Sequence, residues 1–501
     1  MAPAAARWVL ICSILGSAMA FLDSTVVNVA LPTLQGAFHA SANQLQWIVE
    51  AFALTLASFI LIGGSIGDRY GRKRVYLIGV ASFAAASIWC GATTTIQGMI
   101  AARAVQGIGA AMLIPGSLSL ITAAFAVEDR GKAIGTWSGV TAITSAVGPV
   151  MGGWLIQHAT WRWVFLINVP IAAAILLISW HGYPETKLYD SHGLDWKGAA
   201  LASGGLGATT YSLMQFSTDG PHVLWIGLAG LIMLGLFGVV ESRSRSAMAP
   251  TDLFRSRNFM GANLMTLFLY GALSGLTYYL PLNLMQVQHY TPVAAGAVLL
   301  PVVLMIFALS RWSGGLVTRY GDVAPLVVGP VIVALGFAML AIPGIGGSYW
   351  TTFFIPGMVL GFGMAISVAP LTTVVMNSVV ESRAGAASGV NNAVSRAATV
   401  LALAVFGAVL HASFVTALNN GSKSIPSEIR KQLLSQRNNQ AAINTKDPAA
   451  QRVVAEAFVA GFRRVMLTAS GLCLVGALCS AIFVRTGSEQ RGDLDGPSMA
   501  S

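Results

Sequence analysis

The sequence predicts an all-α membrane protein of about fourteen spans, built as two six-helix bundles with two further helices inserted between them. Three observations carry this reading. The 501-residue chain is 55% hydrophobic and only 10% charged, with a mean hydropathy of +0.70; a soluble chain keeps about a quarter of its residues charged. Its apolar residues fall in blocks of about twenty, the length a helix needs to cross hydrocarbon. Two similar phrases, Gly64-Ser65-Ile66-Gly67-Asp68-Arg69-Tyr70-Gly71-Arg72 and Gly314-Gly315-Leu316-Val317-Thr318-Arg319-Tyr320-Gly321-Asp322, stand half a chain apart. Each follows one apolar run and precedes another, as in a chain of two related halves that rock about a central site.

Taken in order, the apolar segments at about 8–31, 45–66, 75–93, 97–124, 133–157 and 163–181 make the first bundle, residues 1–190. The first of them follows Met1 to Arg7 and is read as a retained helix, because the residues after the cleavage-like Ser17-Ala18-Met19-Ala20 carry a motif of their own. Only Thr93-Thr94-Thr95 separates the third and fourth segments. Segments at about 197–216, rich in Gly and Thr, and 222–240 form the inserted pair, residues 191–250. The second bundle, residues 251–501, takes segments at about 259–284, 292–313, 325–343, 350–378, 393–415 and 463–484, with a long polar loop at about 416–462. Within that loop, Arg430 to Gln440 reads as a short surface helix. A second echo supports the two halves: Glu128-Asp129-Arg130-Gly131-Lys132-Ala133 opens the fifth span and Glu381-Ser382-Arg383-Ala384-Gly385-Ala386 the thirteenth.

Basic residues give the orientation. With the N-terminus inside, most Lys and Arg fall on the cytoplasmic side, among them Arg69, Arg72, Lys73, Arg74, Arg130, Lys132, Lys187, Arg245, Arg383, Arg396 and Arg491. This predicts an inner-membrane protein with both termini cytoplasmic; the basic 416–462 loop is the discordant region. The net charge of +10 is read as basic loops facing anionic lipid, not as a nucleic-acid surface. The four cysteines sit in apolar segments without metal-ligand spacing, and no phosphate-binding loop, metal cluster or catalytic constellation is found.

Three ionisable residues inside spans are the candidate machinery. Asp23 sits in mid-span, where an ionised carboxylate is costly unless it faces water or a partner, so it can load and release protons as its exposure changes. It shares its helix with Asn28 and Pro32 and few other polar groups; the alternative is a structural aspartate satisfied by Asn28. Glu50, near the outer end of the second span, reads equally as a second proton site, a counter-charge for a cationic substrate, or an interfacial residue beside Trp47. Together the two acids would make the cavity acidic and favour cations, with a modest hydrophobic anion as the alternative. Arg103 is the one basic residue deep in a span, where a guanidinium needs partners such as Gln106.

In the loop after the second span, Gly71 permits a tight turn, Asp68 can accept at a helix N-terminus, and Arg72 can pair with a carboxylate, with Gly64 and Arg69 beside them. Such a latch can hold the halves together. The second copy offers Gly315, Arg319 and Gly321, but Thr318 replaces the Asp and Asp322 the Arg, so the first is expected to gate. Gly148, Pro149, Gly152 and Gly153 are expected to bend or thin the fifth helix.

These phrases resemble a known family. Gly64 to Lys73 matches the loop signature G-x-x-x-D-R-x-G-R-[KR] of the major facilitator superfamily at every fixed position, and Leu22 to Pro32 is similar to the first-helix signature of its fourteen-span drug:proton antiporter branch. Arg103 to Ala111 matches the fourth-helix motif, Gly148 to Gly153 the antiporter motif (with Thr144 where glycine is common), and Trp161 to Pro170 a further feature of that branch. The resemblance implies the major facilitator fold, proton coupling through Arg103, and export rather than uptake. It implies a proton-driven efflux antiporter without cofactor, embedded in a lipid bilayer and exporting small amphipathic drugs or toxicants across the cytoplasmic membrane, the acids Asp23 and Glu50 pointing to cationic ones. It also raises a periplasmic adaptor and an outer-membrane channel as partners. A dedicated exporter of one metabolite, such as a siderophore or antibiotic, is the alternative, and a non-transporting receptor a distant third.

Overall fold

The computed structural model describes residues 3–185, 195–243, 252–435 and 447–485; Lys187, Arg245 and Arg491 lie outside them. Fourteen long helices, joined by short helical turns and loops, dominate the described chain: α1 (Pro3–Phe38), α2 (Ala42–Tyr70), α3 (Arg72–Ala92), α4 (Ile96–Ala124), α5 (Val127–His158), α6 (Asn168–Gly182), α7 (Trp196–Asp219), α8 (Leu224–Arg243), α9 (Arg257–Gln286), α10 (Leu300–Gly314), α11 (Val323–Leu340), α12 (Ile355–Asn377), α13 (Ala384–Gly421) and α14 (Pro448–Phe483). Helices satisfy their own backbone, which a lipid environment demands. Their starts are set by ordinary caps: Ser41 and Gln44 form a capping box on α2, Thr95 caps α4, Ser256 caps α9, and Asp447 with Pro448 opens α14.

Thirteen helical stretches among the described residues are long and apolar enough to span a membrane, against the fourteen expected. The exception is α7, whose glycines, serines, threonines and Gln215 dilute its apolar content. It packs on α2 and α8, so it lies against protein on those sides.

Helix pairing repeats between the halves. In the first, α2 packs on α4, α3 on α4, α1 on α5 and on α6, and α3 on α6; in the second, α10 packs on α12, α11 on α12, α9 on α13 and on α14, and α11 on α14. The halves meet where α13 packs on α2 and α10 on α5. Small residues allow these approaches, as expected where lipid removes the hydrophobic drive between helices. A methyl group on Gly109 of α4 would stand 2.8 Å from the Phe83 nitrogen on α3, and one on Gly363 of α12 2.6 Å from the Val333 nitrogen on α11.

Two boundaries differ from the sequence reading. The segment at about 416–462 is largely helical: α13 continues to Gly421, Ser427–Ser435 forms a short helix, and α14 begins at Pro448, leaving only 436–446 outside the described residues. Asp447 caps α14 well before the chain becomes apolar, so the helix starts in polar sequence. Likewise α13 starts at Ala384, because the small residues Ala384 to Val390 are helical and buried at the junction between the halves. Arg396 therefore lies about three turns inside α13, not at its end.

Candidate functional site

Asp23 is fully buried midway along α1, within a network drawn from five helices. Its Oδ2 accepts from Arg103 Nη1 of α4 in a short ion pair. Its Oδ1 accepts from Gln106 Nε2 at 2.8 Å and from Asn168 Nδ2 of α6 at 3.1 Å. Both amides also donate to Ser87 Oγ of α3, at 2.8 and 3.2 Å. Arg103 donates from Nη1 to Gln106 Oε1 at 2.6 Å and from Nε to the Ile48 carbonyl of α2 at 3.0 Å, with its guanidinium over the Phe52 ring, 4.4 Å from the centroid. The Gln106 amide is thereby oriented by charge, its oxygen toward the guanidinium and its nitrogen toward the carboxylate. A buried pair of this kind costs desolvation that only such dense hydrogen bonding offsets. One atom is left over: the buried Oδ1 of Asn168 has no donor among the described residues.

The other first-helix candidates stand apart. Asn28 is exposed and donates to the Ser24 carbonyl at 3.2 Å, and Pro32 is exposed within an unbroken α1, so Asn28 is not the partner of Asp23. Glu50 is buried but faces α7: Gln46 Nε2 donates to its Oε1 at 2.5 Å and Gln215 Nε2 to its Oε2 at 2.6 Å. Trp47 meets Tyr211 of the same helix, with centroids 6.0 Å apart. Asp23 is thus paired with an arginine, while Glu50 accepts from two neutral amides, so the two acids lie in different surroundings.

The glycine run of α5 presses on α1 beside Asp23. A side chain on Gly148 would strike Thr25 Oγ1, and one on Gly152 would come within 2.7 Å of Val26. Gly153 has open space around its Cβ position, and Pro149 is exposed in a helix that runs unbroken to His158. The run therefore thins α5 against α1 without interrupting it.

The repeated loops hold the two halves together at one end of the molecule. Arg72, buried at the start of α3, donates from Nε to Asp68 Oδ1 at 3.0 Å, to the Ser119 carbonyl at 3.4 Å and, across the junction, to the Glu381 carbonyl through a short bond. Asp68 Oδ2 accepts from the Ala386 nitrogen in the first turn of α13 at 3.0 Å. Gly64 lies so close to Gly385 that a methyl on either would strike the other's carbonyl. Gly71 has φ +106° and turns the chain into α3, where Glu185 Oε1 and Oε2 accept from the Lys73 and Arg74 nitrogens at 3.0 and 2.9 Å. Arg69 lies at the end of α2 beside this turn.

The second copy reproduces the approach but not the latch. Gly314, rather than the expected Gly315, abuts Gly131 of α5, backbone against backbone. Gly321 makes the turn at φ +77°, and Arg319 is exposed, 5.4 Å from the Tyr320 ring centroid. Asp322 accepts from Asn258 within its own half at 3.2 Å, and burial pushes its carboxyl above the usual range against that bond. The links across this junction come instead from Arg130, which donates to Asn377 Oδ1 at 3.0 Å, and from Ser310 of α10, which donates to the Gly135 carbonyl of α5 through a short bond.

Sequence reasoning found Asp23 and Arg103 but missed Ser87 and Asn168 as members of the same network. Gln106, three residues after Arg103 on one helix face, was the available signal; Asn168 lay inside the Trp161 to Pro170 phrase. It also missed that Arg103 has company: Arg396 is a second guanidinium deep in a span.

Comparison with known proteins agrees with this architecture. A family model described as Major Facilitator Superfamily matches residues 13–403. The chain is similar to Multidrug resistance protein Stp of Mycobacterium tuberculosis (strain CDC 1551 / Oshkosh), 31% identical over 93% of this chain and 90% of that one. It is 32% identical to the Methylenomycin A resistance protein of Bacillus subtilis (strain 168), over 81% of this chain and 88% of the relative. Among solved structures, the human organic anion transporter MFSD10 superposes with a TM-score of 0.65 at 17% identity, covering 96% of this chain and 100% of that one. At that identity the likeness speaks for the fold alone.

Proposed function

The chain belongs to the Major Facilitator Superfamily, and on that premise we propose that it is a drug-efflux transporter, not an enzyme, working as a proton antiporter in the cytoplasmic membrane. The observation that carries the coupling is the Asp23–Arg103 network: a fully buried, multiply bonded carboxylate on a helix that contacts both α4 and α5. Protonation of Asp23 removes half of that ion pair and frees Arg103 and Gln106 to rearrange. Asn168 can turn its donorless Oδ1 toward the new carboxyl proton and keep it bonded. A proton then weights the two conformations differently, which is what coupling requires.

The basic-residue bias puts the α2–α3 end on the cytoplasmic side, with both termini inside. The structure is then the conformation closed toward the cytoplasm, held by Asp68, Arg72 and the glycine contacts. Opening that end admits drug; closing it and opening the other releases drug in exchange for a proton. The proton gradient drives the cycle and no cofactor takes part. Relatives named for multidrug resistance and for resistance to single antibiotics support both a broad exporter and a dedicated one. A periplasmic adaptor and outer-membrane channel remain a proposal resting on the fourteen-helix resemblance.

The test compares cells expressing the wild-type chain with cells expressing Asp23→Asn at equal membrane abundance. Ethidium, rhodamine 123 and fluorescein are loaded and their efflux followed with and without a proton ionophore. Ionophore-sensitive efflux of any of these in wild type alone supports the reading; ionophore-insensitive efflux, or none, overturns it.

A further inference from the structure

The described residues include four deeply placed arginines at or between the bundles, and three are bonded: Arg72 to Asp68, Arg103 to Asp23, Arg130 to Asn377 and the Thr122 carbonyl. Arg396 is different. It is half-buried in α13, its Nε is shut off from solvent without an acceptor, and no hydrogen bond or ion pair to it exists among the described residues. Its polar neighbours bond elsewhere. Asn392 donates to Ser388, and Ser395 and Thr399 to carbonyls of α13 itself, while Asn391 donates to Asn263 and Thr266 of α9. A guanidinium placed this far into a span and left without an acceptor implies a partner that comes and goes.

Its position says where that partner binds. Gly385 and Gly389 are points of closest approach of α13 to α2: Gly385 lies against Gly64, and a methyl on Gly389 would stand 3.1 Å from the Ile60 carbonyl. Arg396 lies about two turns beyond Gly389 and about three beyond Gly385, hence on the same face of the helix. Ala393, between them, packs on the core of the first half. The residues that face α9 are a separate set, with Gly271 of α9 beside Ala398 and Ala402, and Gly275 beside Phe406. Arg396 thus projects from the second half toward the first, past the point where the close contact with α2 ends. Asp23 is already paired with Arg103, and Glu50 faces α7.

We infer that Arg396 is a substrate-binding residue of the second half, and that it takes the anionic group of an amphipathic organic anion such as an aromatic carboxylate. This deepens the efflux reading and rests on it. The planar fork of Arg396 suits a carboxylate, and the apolar body of the ligand lies against the helices around it.

The test uses full-length protein in phosphatidylcholine nanodiscs at fixed pH, with two xanthene dyes of opposite charge, fluorescein and rhodamine 123, read by anisotropy. Wild type is expected to bind fluorescein. Arg396→Gln is expected to lose at least about tenfold in fluorescein affinity, as for a lost charge-assisted hydrogen bond, and Arg396→Lys to keep an intermediate affinity. Rhodamine 123 binding should be unchanged or tighter in both, which also shows that they fold. Failure of wild type to bind fluorescein, or equal losses for the two dyes, overturns the proposal. So does abolition of fluorescein binding by phosphatidylglycerol in the nanodiscs, which would give the site to a lipid headgroup. Dye efflux from cells separates this from the parent reading. Rhodamine 123 export without fluorescein binding sinks the anion site alone, and Arg396-dependent fluorescein binding without export of any dye sinks efflux alone.

Discussion

The two copies of the repeated loop close the same end of the molecule by different means. Each docks on the other half's copy of the second repeat, the first loop on residues 381–386 and the second on Gly131. In both, glycine meets glycine through bare backbone. Only the first loop itself contributes buried charge, with Asp68 on the α13 N-terminus and Arg72 bridging to Glu381; at the second junction the charge is Arg130 of α5, bonded to Asn377. The second substitutes Thr318 for the acid, and its Asp322 turns inward to Asn258. A duplicated scaffold therefore sets where the halves touch, while side chains at one copy decide how firmly. The same inequality runs deeper: the first half holds a completed ion pair at Asp23 and Arg103, the second an Arg396 without a bonded partner among the described residues.

The largest expected effect comes from the ion pair that only the first half has. Arg103→Leu leaves Asp23 buried without its charge partner, which costs about 3–5 kcal/mol, seen as a fall in thermal unfolding temperature in detergent. Asp23→Asn/Arg103→Gln, with no net buried charge, should recover most of that stability but no coupled transport. An unchanged unfolding temperature in Arg103→Leu would show that the pair is not a closed unit.

Next come the junctions themselves. Gly64→Val and Gly314→Val both drive a side chain into opposing backbone, so both should separate the halves at this end, measured as longer spin-label distances between α2 and α13 or α10 and α5. Asp68→Ala removes bonds to a buried arginine and to a helix N-terminus, at about 1.5–3 kcal/mol, and should shift the same α2–α13 distances; Thr318→Ala should shift none. Equal responses at positions 68 and 318 would break the asymmetry.

Smaller still is the contrast within the α5 glycine run. Gly148→Ala should impair transport because its methyl strikes Thr25, whereas Gly153→Ala meets open space and should be neutral or stabilising by up to about 1 kcal/mol. The smallest effect concerns Asp322. Burial raises its carboxyl, so the folded state favours the protonated form; its favourable contribution is complete below about pH 4 and is lost as pH rises through the raised value. Asp322→Asn should therefore unfold at a higher temperature than wild type at pH 7, with the difference vanishing near pH 4, about the ordinary carboxylate range.

Much of this was legible in the sequence because the membrane makes it so. A carboxylate or guanidinium inside an apolar run is conspicuous, and Asp23, Glu50 and Arg103 stood out on that ground alone. Their partners were not legible: Ser87 and Asn168 are neutral and common, and only the packing of α3 and α6 against α1 and α4 brings them to Asp23. Glu50 was visible, but not the Gln215 it faces, because α7 is the least apolar of the long helices. Arg396 was misplaced by hydropathy, which starts α13 where the chain becomes greasy; the helix begins earlier, in small residues buried between the halves.

The central claim is proton exchange through Asp23. Its most direct measurement places wild type and Asp23→Asn in sealed inside-out membrane vesicles with an acidified lumen, and follows rhodamine 123 and fluorescein accumulation beside lumenal pH. The account predicts that wild type accumulates dye as lumenal protons are released, that a proton ionophore abolishes this, and that Asp23→Asn still binds dye yet neither accumulates it nor releases protons. Wild-type accumulation that persists in Asp23→Asn, or that proceeds without proton release, would contradict it.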